Sequence, residues 1–376
     1  MRVATVGIGG AGGRIVDRLW LDNEHRETTY LGAACVVDTD AEALAELTAV
    51  PDDQRHAFGL FETDGAGTNG DRTKGIAAIE DEQLEVRRAI DPLVTSDIDA
   101  IVLVAGLAGG TGSGATAHIA DALREIYTIP IYCVSVLPAG SDADAAANAI
   151  KALRTLKTTV DGQVLFDNEI WLGSGQTVEE ATESLNETVA TRLGTLFAAG
   201  EVTESESVGQ SVVDASEIIA TISDSGFVTL GYASQEIDTD GSTDDGTVID
   251  RLRDRFFADN SDDIDEIDEI EAYNAVETTL RRSVRGKLTA DCALDSADRA
   301  LTVFAGPPAW LIRDAVTDGQ GWLADELESP EIRSGDMPTP DRSRISVLVL
   351  LSGVTELPRL RELKALVEES NANNHR

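Results

Sequence analysis

Short runs of consecutive apolar residues alternate along the chain with longer stretches in which apolar positions recur every three or four residues. The first kind reads as strands buried on both faces and the second as helices covering them, which together predict an α/β protein with a parallel sheet. Residues 2–8 (RVATVGI) form the first such strand, after which Ile15, Val16, Leu19 and Trp20 share one helical face. Further strands are predicted in GAACVVD, DAIVLVAGL, PIYCVSVL and GQVLFDNEIWL, the last interrupted at Asp167 and Asn168. Helices fall at about 76–93, 115–126 and 143–160. A longer one over 177–199 carries Leu185, Val189, Leu193, Leu196 and Phe197 on one stripe, and at mid-chain it suits a spine between two domains. Beyond it come an amphipathic helix opening near Asp214, strand FVTLGYAS, helices at 247–258 and 272–287, strand ALTVFAG and helix 308–327. A proline-bearing loop SGDMPTPDRS, strand RISVLVLLSG and a helix to about 369 complete the pattern.

Glycine marks the places where strands pass into helices. AGGTGSG (108–114) follows the apolar run AIVLVAGL, and GGAGG (9–13) follows the first strand. Glycines there let successive backbone N–H groups turn toward one point, and the following helix adds the positive end of its dipole, so each loop suits a phosphate. Thr111 and Ser113 add hydroxyls, and the Lys of a P-loop is missing. A plain tight turn remains the alternative for AGGTGSG. Gly7, Gly9 and Gly12 also satisfy GxGxxG, with Asp38 ending the next strand, as a dinucleotide-binding oxidoreductase would require. A third glycine-rich stretch, GAGTNGDRTKG (65–75), is longer than a connection needs, and PAGSDADAAANA opens at Pro138. In an open parallel sheet all these loops lie on the carboxyl edge and can converge on one ligand. Asn168 offers an amide suited to a ribose or base and reads equally as a turn residue; Asp214 and Glu217 stand where first-turn acids complement a helix dipole.

Charge sets the chain apart from an ordinary globular protein. Asp and Glu number 68 against 30 Lys and Arg, a formal net charge of −38. The acids are spread through periodic segments rather than gathered in one tail, and molar salt screens such repulsion within about 3 Å. We therefore expect an intracellular, cytoplasmic protein of a salt-accumulating halophile that does not bind nucleic acid nonspecifically. With 376 residues, 42% of them hydrophobic, the chain is long enough for two domains. Cys35, Cys133 and Cys292 are far apart, and His25, His56, His118 and His375 share no ligand spacing with them, so no zinc or iron site is readable. No apolar run approaches 18 residues, and the pattern contains neither a signal peptide nor a transmembrane segment.

The order of these motifs resembles the tubulin and FtsZ superfamily over nearly the whole chain. GIGGAGG is similar to that family's first nucleotide loop, DTDAEAL to the second, GAGTNGDRTKG to the third and AGGTGSG to its signature; LPAGSDAD and VDGQVLFDNEIWL resemble the fifth and sixth. The acidic composition and LPAGSDADAA look most like the CetZ group of haloarchaea. The resemblance implies a Rossmann-like parallel-sheet GTPase domain (1–176), a central core helix (177–200), a smaller α+β C-terminal activation domain (201–369) with a synergy loop at about 209–217, and a short tail (370–376). Gly10, Ala11, Gly12, Gly13 and Arg14 match the phosphate-contacting run, and Gly109, Gly110, Thr111, Gly112 and Ser113 match the signature. Ala66, Gly67, Thr68 and Asn69 would sense the γ-phosphate; Asp142 stands for a ribose-binding Glu, and Asn168 and Asn186 match ribose and guanine contacts. Asp214 and Glu217 match the catalytic acids that the next subunit supplies.

What the resemblance implies is a cytoskeletal GTPase that binds GTP or GDP, with Mg²⁺ held through the nucleotide rather than by a protein ligand set. It would assemble head to tail with copies of itself, hydrolyse GTP at the subunit interface and serve cell shape or motility. Val212 replaces an Asn usual in the FtsZ synergy loop, Ala146 an Arg, and Glu187 follows Asn186 where FtsZ has an Asp. No counterpart of the FtsZ adaptor peptide follows Glu369. Two other readings stand beside this one: a nucleotide-binding assembly protein with little hydrolysis, and a Rossmann-type NAD-dependent oxidoreductase, for which no catalytic His or Tyr constellation stands out.

Overall fold

A computed structural model of the chain describes residues 1–26, 28–201, 213–222, 226–237, 269–328, 331–339 and 343–374. In the first half, β1 (Val3–Ile8) leads into α1 (Gly9–Glu24), β2 (Leu31–Asp38) into α2 (Ala41–Ala45), and β3 (Arg55–Ala57) into α3 (Leu60–Thr63) and α4 (Arg72–Ile90). Next, β4 (Ala100–Gly106) feeds α5 (Gly110–Arg124), β5 (Ile131–Leu137) feeds α6 (Ala143–Thr159), and β6 (Gly162–Asp167) feeds the single turn α7 (Asn168–Trp171) and α8 (Val178–Ala199). The second half contributes α9 (Ala215–Ile222), β7 (Phe227–Glu236), α10 (Glu269–Arg285) and β8 (Arg299–Gly306). It ends with α11 (Arg313–Leu327), β9 (Ile332–Pro338), β10 (Arg344–Val354) and α12 (Pro358–Asn374).

The described strands form one ten-stranded sheet in the order β3-β2-β1-β4-β5-β6-β7-β10-β8-β9. Pairing is parallel from β3 through β7 and antiparallel on both sides of β10. The two halves share this sheet through a short register, Gln163 opposite Phe227 and Val164 opposite Val228. The period-2 alternation of each strand divides its side chains between two cores. Ile101, Leu103, Val347 and Val349 pack with Leu123, Leu153 and Leu280 on one face. Val102, Val104, Leu348 and Leu350 pack with Ile15, Leu193, Leu196 and Ile218 on the other. The long helix α8 starts where its Thr177 capping box predicts, with Glu180 as the reciprocal partner, and packs against α1.

Several elements differ from the periodicity reading. The glycine stretches 9–13 and 110–114 are the first turns of α1 and α5 rather than loops before them, with Gly9 entering α1 at φ 72°, where a side chain is disfavoured. Asp71 caps α4, which therefore begins at Arg72 instead of about 76. SGDMPTPDRS is not all loop: Ile332–Pro338 pairs with β8 as β9, and Pro338 is tolerated there because the strand lies on the sheet edge. The three-residue β3 carries too little pattern to be seen. Residues 308–310 make a 3₁₀ turn ahead of α11, and α12 continues through Asn374, past the tail expected from 370. The expected helix 247–258, Val212 and the start of the synergy loop at 209–212 lie outside the described residues.

Candidate functional site

β1 pairs with β2 on one side and β4 on the other, so the sheet reverses its winding between β1 and β4. A crevice opens at the carboxyl ends of two such strands, which is where doubly wound sheets bind ligands. Here the crevice is walled by two helix N-termini, those of α1 and α5. The approach is close because the wall is glycine: a Cβ on Gly12 would strike the carbonyl oxygen of Val104 in β4, and one on Gly110 would sit 2.5 Å from Thr68 Oγ1. Neither Ile8 nor Gly109, the two N-caps, gives a side-chain cap to its helix, so the first-turn N–H groups remain to be satisfied by a ligand or water. Gly10 and Ala11 are part-exposed at this rim, and Arg14 is exposed one turn on.

Three threonines meet beside the α5 N-terminus. Thr111 Oγ1 is 2.7 Å from Thr39 Oγ1 and 3.4 Å from Thr68 Oγ1, all three buried. Ser113 does not join them: its hydroxyl donates to the Gly109 carbonyl at 2.5 Å, inside the helix. The third glycine stretch is held against this cluster by Gly67 N–H donating to Thr39 O at 3.1 Å, while Ala66 bridges Asp40 and Asn69 turns outward with φ 50°. Asn148 of α6 fastens the same stretch to the signature, its amide donating to Gly70 O at 2.8 Å and to Ala108 O at 3.0 Å. The sequence reading passed over Thr39 and Asn148. The available signal for the latter was a lone amide beside the buried alanines Ala146, Ala149 and Ala152.

Asp38, at the end of β2, faces Gly10 and is almost fully buried. Burial pushes its carboxyl up to about 6, against the pull of Thr39 and Asp40 N–H groups and Arg14. Beyond Arg14 the crevice continues as a cleft lined by Ala11, Arg14, Phe166, Asn168, Leu185 and Asn186 among others. Its apolar walls with two amides suit a flat heterocycle. Glu187 is turned away and paired with Arg18 at 3.1 Å. Asp142 is exposed on the neighbouring rim, where it caps α6 by accepting from Asp144 and Ala145 N–H groups. Ala146 is buried in the core behind it.

Asp214 and Glu217 lie elsewhere, at the start of α9. Met1, which precedes β1, donates from its backbone nitrogen to Phe197 O at 2.7 Å. A Cβ on Gly200 would touch that nitrogen and lie 3.4 Å from Ala215 N. The acids thus occupy the amino edge of the sheet, a six-residue strand away from the glycine crevice, about 20 Å. Asp214 is exposed, and hydrogen bonds from Ser216 Oγ and Glu217 N–H hold its carboxyl below the usual range. Glu217 Oε2 is buried with no hydrogen-bond partner among the described residues.

Two uncapped helix N-termini, three converging hydroxyls and an adjoining cleft with two amides at the winding reversal define a nucleotide-binding α/β protein. The model of the tubulin/FtsZ family GTPase domain matches residues 2–176, and that of the tubulin-like CetZ C-terminal domain matches 175–369. Tubulin-like protein CetZ1 of Haloferax volcanii is 36% identical over 99% of this chain and 93% of its own length; CetZ5 of the same organism is 38% identical with the same coverage. The solved GDP-bound CetZ1 monomer superposes with a TM-score of 0.84 at 32% identity, covering 99% of this chain and all of that one. A GTPγS-bound CetZ2 protofilament gives 0.84 at 30% identity over the full length of both. The chain belongs to the tubulin/FtsZ family of GTPases, in its CetZ branch. A nicotinamide oxidoreductase is thereby set aside: the glycines and Asp38 that suggested one are part of this GTPase domain.

Proposed function

We propose that the chain binds GTP across the β1–β4 crevice and assembles head to tail with copies of itself. One subunit's amino edge then completes the next subunit's site. The observation that carries this reading is the separation within one protomer: the phosphate cradle and the two acids sit on opposite edges of the same sheet, so they meet only between two copies. The α1 and α5 N-termini would hold the phosphates, with Gly10–Gly13 and Gly109–Gly112 giving backbone N–H groups and Thr111 a hydroxyl. Asn168 and Asn186 would read the nucleoside, Asp142 would stand at the ribose rim, and Ala66–Asn69 would follow the γ-phosphate.

In the assembled pair, the Glu217 carboxylate of the neighbouring copy accepts a hydrogen bond from a water and orients it in line with the γ-phosphate. The water oxygen bonds to phosphorus as the bond to the β-γ bridging oxygen breaks. GDP keeps that electron pair, and the water proton passes toward Glu217. Asp214 steadies Glu217 by accepting its backbone N–H. Any ion would be held chiefly by phosphate oxygens. Mg²⁺ would supply charge neutralisation there, with Thr39, Thr68 and Thr111 as the nearby hydroxyls.

No described helix is long and apolar enough to cross a membrane, and we assign the filament to the cytoplasm with a role in cell shape or motility. The test is parallel light scattering and phosphate release in molar KCl after adding GTP. Scattering that rises with release is expected; scattering without release establishes instead an assembly protein with little hydrolysis, and GTP-independent behaviour with NADH binding refutes both.

A further inference from the structure

Arg359, in the first turn of α12, is buried although charged. Its guanidinium reaches from the C-terminal helix to the carboxyl edge of the GTPase half. Nη2 donates to the carbonyl oxygens of Pro138 at 2.8 Å and Gly140 at 3.1 Å. Nε lies 3.6 Å from Asp167 Oδ1, Nη2 lies 3.9 Å from Glu169 Oε2, and Nη1 donates to Glu362 Oε2 at 3.1 Å. The acceptors are themselves linked. Glu169 Oε2 accepts from Gly140 N–H at 2.6 Å, and Asp167 Oδ1 caps α7 by accepting from Glu169 N–H at 3.1 Å. One cation therefore joins the segment after β5, which ends at Asp142, to the turn after β6, which presents Asn168.

The chemistry of the set explains why Arg stands there. A planar fork serves two carbonyls and three carboxylates at once, whereas a lysine ammonium is a single point charge. Without a cation, Asp167 would keep a buried carboxylate facing Glu169 and Asp291 with only the Glu169 N–H to offset it, and its Oδ2 already has no hydrogen-bond partner among the described residues. The segments flanking the nucleoside would then be free to separate. α12 itself packs on α6, the helix that carries Asn148 and is capped by Asp142.

We infer that Arg359 is a positioning residue for the nucleoside half of the site, making guanine-nucleotide affinity depend on the docking of α12. This rests on the reading of the carboxyl edge as the GTP site. Because the two segments flank the nucleoside and not the phosphates, losing Arg359 weakens GDP and GTP alike. A lesion confined to the γ-phosphate segment Ala66–Asn69 would spare GDP relative to GTP.

The experiment compares the full chain with Arg359→Gln, Arg359→Lys and Glu169→Gln in molar KCl, by equilibrium titration of GDP and GTP, phosphate-release kinetics and circular-dichroism melting. Arg359→Gln should weaken both nucleotides about tenfold, raising KM with kcat within twofold, and Arg359→Lys should restore part of the affinity. Glu169→Gln, which leaves the α12 contacts to the carbonyls in place, should cost about threefold and decides the matter if Arg359→Gln does not fold. Affinities within twofold of the parent in the folded variants, or a loss confined to GTP, overturn the inference alone. A parent chain that binds neither nucleotide overturns the site reading and the inference with it.

Discussion

Gly109 and Gly110 are neighbours in the same signature, yet their surroundings predict opposite responses to one added methyl group. A Cβ on Gly110 would overlap Asp71 O and stand 2.5 Å from both Asp71 C and Thr68 Oγ1, about 1 Å short of ordinary contact. Neither neighbour gives way cheaply: Asp71 caps α4, and Thr68 is buried against Thr111. Forcing a methyl group into such a site costs about 1–3 kcal/mol. In a chain of this size that lowers the melting temperature by roughly 2–6 °C, at about 2 °C per kcal/mol. A Cβ on Gly109 meets no heavy atom within 4 Å, and its φ of −76° and ψ of 170° suit alanine. Gly109→Ala at this N-cap should therefore cost under about 1 kcal/mol. The assay is thermal melting of both variants free of nucleotide, in EDTA and molar KCl. Displacing the 66–71 segment in Gly110→Ala should also weaken GTP roughly 5- to 150-fold, the same 1–3 kcal/mol read as affinity. Equal melting shifts for the two variants would refute the close-approach argument.

Three other outcomes are expected. Glu217→Ala should leave GTP affinity within about twofold, abolish phosphate release and prolong any polymer; unaltered release would remove the residue from catalysis. Asn148→Ala removes two part-buried hydrogen bonds, to Gly70 O and Ala108 O, so melting should show a loss of about 1–3 kcal/mol together with weaker nucleotide retention. Asp38 has a folded value of about 6 against an ordinary 3.8, so the folded chain binds that proton more tightly than the unfolded one. That contribution to stability is complete below about pH 4 and is lost as pH rises through 6. Asp38→Asn, which keeps an acceptor for Thr39 N–H, should stabilise the protein by up to about 3 kcal/mol above pH 6 and hardly at all below pH 4, as equilibrium unfolding across that range can test.

Much of the fold was legible because its signals are local. A strand buried on both faces shows itself as an unbroken apolar run, and Thr177 with Glu180 starts α8 through neighbouring atoms alone. The glycine stretches were legible for the same reason, although their residues proved to be helix N-termini. Where local pattern was too short or too ambiguous, it failed: β3 has three residues, and β9 carries the glycine and proline of a loop yet is held as a strand by β8. Ser113 shows the limit for single side chains. Its type suited a phosphate contact, and only the helix geometry turned its hydroxyl back to Gly109 O.

The sequence by itself determined most of the strands and helices and the positions of the glycine stretches, and it carried the family through the order of its motifs. Tertiary structure decided what meets. The winding reversal at β1 brings residues 9–14 beside 108–113, and β-sheet order places Asp214 and Glu217 on the far edge. Packing between distant segments, not any pattern within one of them, joined Thr39 to Thr111, Asn148 to Gly70 and Arg359 to Pro138. Such contacts close over tens to hundreds of residues, and the separation along the chain leaves no periodicity from which to read them.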